Sequence, residues 1–520
     1  MYDKDTARQR TELLSLCKHF GLSGIKKLAG QTLWYGLPSV ASRFLGYLMN
    51  LSLPLIYKDP GTTADLTLVY AAVAFLTIIY TYGLETAYFR FAQTEDRSRL
   101  YSTLSLALLF SSIFFSGVLW YFQDSLAHWA RLGNNSELIR WMIGILFLDS
   151  LSTLAFAKLR QENRPRRYAF AKLSTVLVNI VVVVIFLGII PRYLATHPDS
   201  SLTAFYTKDQ SGIIWFLIGN FFGSLVCWLL LAKEWITIRL RFDLSLFKKV
   251  MAYAWPLVLV GMGGIANDML SRLLYQFVVD LPAEEAKHQL GVFANIVRLS
   301  IVITIAIQAF RMAAEPFFFN RSGQQEAPQT YARIMNYFVI VCCFLFLGLS
   351  LYLDLIKWFF ESIDRARWTE GLYVVPLIAM ANIFLGIYYN LSIWYKLTNN
   401  NFTGALITIA GTVITIVLTT TLIPVLGYLG AALASFCCYL VMMISSYVLG
   451  QRTYPVPYPV KKILFYLVLA SFLYVSHRWL LSLWDSPAFN LGLATAWLAL
   501  FAYVVQQKEQ FQLSFRNRSL

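Results

Sequence analysis

The stretch "YAWPLVLVGMGGIANDMLSR", Tyr253 to Arg272, is a long apolar run that holds both an acid and a base. Asp268 and Arg272 stand four residues apart, one helical turn, and Gly261 and Gly264 lie on the same side of that helix. An earlier stretch, "WYGLPSVASRFLGYLMNLSL" (Trp34 to Leu53), reads alike: setting Pro38 on Pro256 puts Asn50 on Asp268, each twelve residues on. Further along, "TAYFRFAQ" and "QAFRMAAE" set Phe89-Arg90 against Phe310-Arg311. The two offsets, 218 and 221, differ by only a few loop residues near "LPAEEAKHQ". Matches in order at one offset point to an internal repeat of six helices. Six is even, so both halves enter from the same side, as a parallel repeat about an axis along the membrane normal, and substrate sites in such proteins lie between the halves.

Composition puts the repeat in a bilayer. Of 520 residues, 58% are hydrophobic and 14% charged, against about 45–50% and about 25% for soluble domains. Fourteen apolar stretches approach the roughly 20 residues that span a bilayer: 30–55, 64–89, 101–123, 137–157, 168–190, 212–232, 250–279, 289–310, 334–353, 371–395, 403–422, 428–449, 463–480 and 488–506. The loops between them are too short for a soluble domain. The expected class is therefore an all-α integral membrane protein with 14 transmembrane helices. The expected division is an amphipathic arm at 1–29, a lobe of helices 1–6 at 30–243, a lobe of helices 7–12 at 244–452, and helices 13–14 with a tail at 453–520. The arm is polar and basic with no cleavable secretory pattern. It reads either as a helix lying on the bilayer or as a short solvated helix.

Lys and Arg set the orientation. With the N-terminus inside, and groups near the end of a span counted with the adjoining loop, the inner segments hold 30, the outer loops 10, and three arginines lie deeper within spans. An excess of this size predicts that both termini are cytoplasmic. The formal charge of +15 is thus a topology signal, and basic clusters such as "KLRQENRPRRYAFAK" (Lys158 to Lys172) call for no nucleic-acid partner. Six cysteines, none in a CxxC pair, read as small apolar residues.

The ionisable groups inside spans are Arg43, Glu85, Asp149, Asp268, Arg272 and Arg298. Each costs about 2.5–3.5 kcal/mol at a helix centre, so it should face the interior, a partner or water. Two readings of Arg43 and Arg298 stand. One is a cationic patch in a cavity holding phosphate or pyrophosphate, a task that suits the bidentate, permanently charged guanidinium. The other is pairing with carboxylates such as Asp149, or snorkelling. Asp268 and Arg272 read either as a plain i,i+4 salt bridge or as a coupling-ion ligand beside a substrate contact. Asn50, Asn267, Asn295 and Asp149 are polar cavity candidates, and the asparagines, with Asn382, fit either a wet cavity or interhelical hydrogen bonds. No phosphate-binding loop, metal-ligand spacing or catalytic constellation is evident, so neither a cofactor nor an enzymatic reaction is expected.

The stretch "GIKKLAGQTLWYGLPSVASRFLGYLMNLSLPLIY" resembles the opening of bacterial oligosaccharide flippases, the polysaccharide-transport branch of the superfamily that includes multidrug exporters and lipid II flippases. "YGLETAYFRFA" (Tyr82 to Ala92), "IQAFRMAAEPFFF" (Ile307 to Phe319) and "LGIYYNLSIWYKLT" (Leu385 to Thr398) are similar to the same branch, and the resemblance covers about residues 24–450. It implies two six-helix lobes around a central cavity opening alternately to either face, with two further helices. It also implies transport of undecaprenyl-pyrophosphate-linked oligosaccharide across the bacterial inner membrane for surface polysaccharide such as lipopolysaccharide. "SRFLG" resembles the "SR-x-LG" of lipid II flippases, which points to Arg43 as a cavity cation; Met49 stands where those proteins carry a second arginine. That departure favours a different lipid-linked glycan. Partners implied are lipid-linked oligosaccharide, membrane lipids, H+ or Na+, and polysaccharide polymerase machinery. The competing readings are a multidrug or cation antiporter of the same fold, an integral-membrane glycosyltransferase or polymerase, and a non-transporting scaffold.

Overall fold

The computed structural model describes residues 41, 44–132, 136–162, 164–197, 200, 206, 212–321, 324–398, 400–484 and 486–517. Among them all regular structure is helical. In the N-terminal half the apolar stretches become α1 (Phe44–Ile56), α2 (Pro60–Phe91), α3 (Arg97–Tyr121), α4 (Ser136–Gln161), α5 (Pro165–Thr196) and α6 (Ile214–Leu230). The C-terminal half holds α7 (Leu244–Val278), α8 (Ala283–Leu299 with Ile301–Arg311), α9 (Ala327–Ser362), α10 (Ala366–Leu397), α11 (Asn401–Leu426) and α12 (Tyr428–Thr453). Two more follow, α13 (Val460–Leu483) and α14 (Pro487–Glu509). Eleven of these are long and apolar enough to cross a membrane, the bent pair of α8 makes a twelfth, and α1 and α6 are shorter apolar helices. Each expected stretch thus has its helix. The arm at 1–29, Pro38 and Arg43 lie outside the described residues.

Local chemistry sets the helix ends. Asp243 caps α7 by accepting from the Leu246 N–H at 3.0 Å, and Asp96 caps α3 by accepting from Arg99 N–H at 2.7 Å. Within α2 the chain kinks at Gly83, whose φ of +75° is open to glycine without strain. A Cβ there would also meet the Ala254 carbonyl oxygen at 3.2 Å, so the same glycine lets α2 approach α7. Helix α8 bends by 48° at Ser300. The buried Ser300 hydroxyl donates back to the Ile296 carbonyl at 3.1 Å, a bond that competes with the helix ladder.

Packing separates two halves that share α7. Leu53, Leu66, Val69, Ile143, Leu146 and Phe216 form one core in the N-terminal half. Ile307, Phe338, Phe346, Ile383, Tyr466 and Phe501 form another, through which α13 and α14 attach to the C-terminal half. Helix α10 is its axis: 83% of its apolar window is buried, against 11% for the peripheral α5. The first part of α7 joins the N-terminal half, where Val250 and Ala254 pack with Leu84 and Tyr88. Its last turns join the C-terminal half through Tyr275 and Phe293. Exposed Phe110, Phe114, Phe170, Val468 and Phe472 present an apolar outer surface suited to hydrocarbon. Of the residues that suggested a repeat, Arg90 stacks over Tyr253 of α7 at 4.2 Å and Arg311 over Tyr389 of α10 at 4.6 Å from ring centroid to guanidinium carbon.

Candidate functional site between the two halves

The three glycines of "GMGGIAND" do not form one face with one task. A Cβ on Gly261 would touch Ile78 of α2 at 3.4 Å, and one on Gly263 would touch Thr408 of α11 at 3.3 Å. Nothing lies within 4 Å of one on Gly264. Helix α7 is therefore a thin wall pressed between the halves, with its Gly264–Asp268 edge facing open space. Asp268 is 53% exposed although it sits mid-sequence in an apolar span, whereas Arg272 is 16% exposed. Their ion pair is long, 3.8 Å, and Arg272 also donates to the Met269 sulfur at 3.0 Å. Asp268 lies within electrostatic reach of Tyr389 and the buried Tyr439, and Tyr439 donates to the Asn267 carbonyl at 3.2 Å.

Arg298 occupies the last turn of the outer part of α8. Its guanidinium reaches across to the N-terminal half and donates to Thr67 Oγ1 at 3.1 Å and Thr63 Oγ1 at 3.4 Å. Both acceptors are neutral, and among the described residues no carboxylate pairs with Arg298. Arg272 is close enough to repel it. Two guanidinium groups thus converge where α2, α7 and α8 meet, an arrangement that favours an anion.

The other expected residues take different places. Asp149 accepts from Ser224 at 2.6 Å and has Lys172 and Tyr70 as charged or polar neighbours, so it lies within the N-terminal half and does not pair with Arg298. Asn50 donates to the carbonyl of Gly46 on its own helix at 2.9 Å. Asn267 is buried against α11 and α12, donating to the Thr408 carbonyl at 3.2 Å. Asn295 is buried and holds the Trp368 carbonyl at 2.9 Å. Arg311, singled out by its sequence only as a repeat marker, joins Tyr389 near Asp268.

A second polar cluster lies at one end of the bundle, the end that the Lys/Arg distribution is expected to place outside. The α1–α2 connection is clasped by the first turns of α8 and by the start of α10 with Arg365 just before it. Trp368 donates its indole N–H to the Tyr57 carbonyl at 2.9 Å, and Arg365 donates to Pro54 at 2.9 Å. Lys287 pairs with Asp65 at 3.1 Å, and Arg367 pairs with Asp59. His288 bridges the halves, with Nδ1 3.0 Å from Asp59 Oδ1 and Nε2 2.7 Å from Glu370 Oε2. Beside this cluster is a cavity of about 630 Å³ lined by Asp59, Asp65, Glu284, Glu285, Lys287 and His288, among others. Residues 283–288, "AEEAKH", precede the apolar part of α8 and stand outside the span. Burial opposes charge on His288, but bonds to Glu370 and Asp59 outweigh it and raise its pKa above the ordinary value. Burial likewise opposes the Asp59 carboxylate, yet bonds from His288, the Gly61 N–H and Arg367 hold its pKa below the usual range.

The same arrangement of helices occurs in solved transporters. The lipid II flippase MurJ in an inward closed conformation superposes with a TM-score of 0.69 at 12% identity, over 91% of this chain and 99% of that one. This is the fold of the MurJ and MATE transporters. An inward-facing multidrug resistance MATE transporter matches with a TM-score of 0.57 at 14% identity, over 81% and 94% of the two chains. A transporter of the same superfamily from Pyrococcus furiosus, described as having a binding pocket of reversed polarity, matches at 0.55 and 15%, over 81% and 95%. No protein-family model matches the sequence, and no curated protein does. The chain accordingly has the helical architecture of these multi-pass membrane proteins.

Proposed function

We propose that this protein is a flippase that moves an oligosaccharide linked to undecaprenyl pyrophosphate from the cytoplasmic to the periplasmic leaflet of a bacterial inner membrane, for surface polysaccharide synthesis. Lobes at 30–243 and 244–452 rock about α7, exposing the space between them to one face and then the other. The observation that carries this reading is Arg298: a guanidinium held at the seam by two neutral hydroxyls, beside Arg272, with its charge left for a ligand. Pyrophosphate supplies the missing counter-charge with oxygens that match the guanidinium fork. Arg43 is assigned to the same site on its sequence motif. Asp268, exposed at the edge of α7, is the proposed ligand for a coupling H+ or Na+.

The test is depletion of the protein followed by leaflet-resolved analysis of lipid-linked sugars. Accumulation of one intact lipid-linked oligosaccharide on the inner leaflet supports the reading and names the glycan. Arg298→Ala at normal abundance should reduce flipping about tenfold to a hundredfold, the value of one or more charge-assisted hydrogen bonds of about 1.5–3 kcal/mol. Arg298→Lys should restore it in part, because the charge returns without the fork. Full transport by the alanine variant removes the anion site. Export of cationic drugs in place of sugar accumulation would establish the antiporter instead.

A further inference from the structure

We infer that His288 is the proton site of an outer gate, its imidazolium tying Asp59 of the N-terminal half to Glu370 of the C-terminal half and so holding the outer end shut. The gate rests on the alternating-access reading above, which supplies the motion that it would control. The geometry fits the doubly protonated ring. A neutral imidazole has one N–H and one lone pair, so it can donate to only one neighbour. Here both ring nitrogens face carboxylate oxygens, at 3.0 Å and 2.7 Å, and only the doubly protonated ring can donate to both. Asp59 also accepts from Arg367 and the Gly61 N–H. Loss of the proton therefore turns one of the two bridges into a lone pair set against a carboxylate.

The surroundings reinforce this. From the α1–α2 side the groups facing the histidine are Asp59 and Asp65; from its own helix, Glu284, Glu285 and Lys287; from the start of α10, Arg367 and Glu370. Lys58 and Asp364 pair with each other at the rim, and Tyr428 of α12 lies within electrostatic reach of Glu370. Five carboxylates thus face two fixed cations around the cavity, and protonated His288 reduces that imbalance. Backbone contact is close at the same level, where Gly61 lies against the His288 main chain. When the halves part, the histidine loses at least one of its two carboxylates and its pKa returns toward about 6.5. Since the closed state has the raised value, closure is fully favoured below about 6.5 and is lost as pH rises through that raised value. Each unit of difference multiplies the closed-to-open ratio by about ten. An acidic outer compartment should hold the gate shut, and an alkaline one should release it.

The experiment uses the full-length chain with Cys17→Ser in liposomes, spin-labelled at Ser125→Cys and Ser362→Cys, two exposed outer positions on opposite halves. Dipolar EPR distances are recorded as pH is raised from about 5.5 to about 9, a range spanning the titration of a histidine. The short-distance population should dominate at low pH and give way to longer distances with a midpoint above about 6.5. His288→Gln, whose amide does not titrate in this range, should abolish the pH response. Glu370→Gln should retain a response with a lower midpoint. A wild-type distribution that ignores pH, or a His288→Gln variant that still follows it, overturns the gate. The readout needs no substrate, so normal gating in a protein that flips no lipid-linked sugar would refute the proposed function and leave the gate intact.

Discussion

Replacing Gly291 by alanine tests whether the outer seam must close during function. A Cβ at this position would overlap the Pro60 carbonyl oxygen and carbon, and would stand 2.7 Å from the Gly61 nitrogen. All three neighbours are backbone, so no rotamer change makes room. Restoring ordinary contact requires α8 and the α1–α2 connection to separate by about 1 Å, a displacement of the size that overpacking imposes at a cost of about 1–3 kcal/mol. At about 1.4 kcal/mol per factor of ten, the closed-to-open ratio should fall about fivefold to 150-fold. Thr63 reports the change, because it is fully buried at the same seam. In a Thr63→Cys background, a membrane-impermeant maleimide added from outside should react several-fold faster when Gly291 is alanine. The control is Gly264→Ala, where nothing stands within 4 Å of the new methyl and the rate should stay unchanged. Equal labelling rates for Gly291→Ala and its parent, at equal abundance, would refute the reasoning.

Other variants separate the remaining roles. If Asp268 serves only Arg272, the single variants Asp268→Asn and Arg272→Gln should each be worse than the pair together, because a lone ion keeps its desolvation cost. We expect the double variant to fold but not to transport, with its dependence on an ion gradient gone; flipping and abundance of all three proteins decide this. Glu234 is 1% exposed and pairs with Arg164 at 2.9 Å and Arg167 at 3.0 Å, joining the ends of α5 and α6. Glu234→Gln should therefore cost about 1–3 kcal/mol, read as lower thermal stability in detergent without a change in substrate selectivity.

Much of the fold was written in local composition. Hydrophobic run length is additive along the chain, and a bilayer leaves backbone polar groups no partner but their own helix, so fourteen apolar stretches had to become helices. Gly83 is a break that its residue type allows, whereas the 48° bend of α8 falls at Ser300, which no proline or glycine marks. The rarity of charge inside apolar spans singled out Asp268, Arg272 and Arg298 for the same energetic reason. Their surroundings depended on residues far away in sequence. Thr63 and Thr67 stand more than 200 positions from Arg298, and a threonine near a helix start carries no sign of the arginine that it will meet. Asn267 and Asn295 look like Asn50 in sequence, yet packing turns them onto carbonyls of other segments. His288 was hardest to see, because a lone histidine in a polar loop resembles any solvated residue. Only closure of the two halves brings Asp59 and Glu370, 229 and 82 positions away, onto its two nitrogens. Run length is a property of neighbours along the chain; charge compensation is a property of neighbours in space, and tertiary packing alone chooses them.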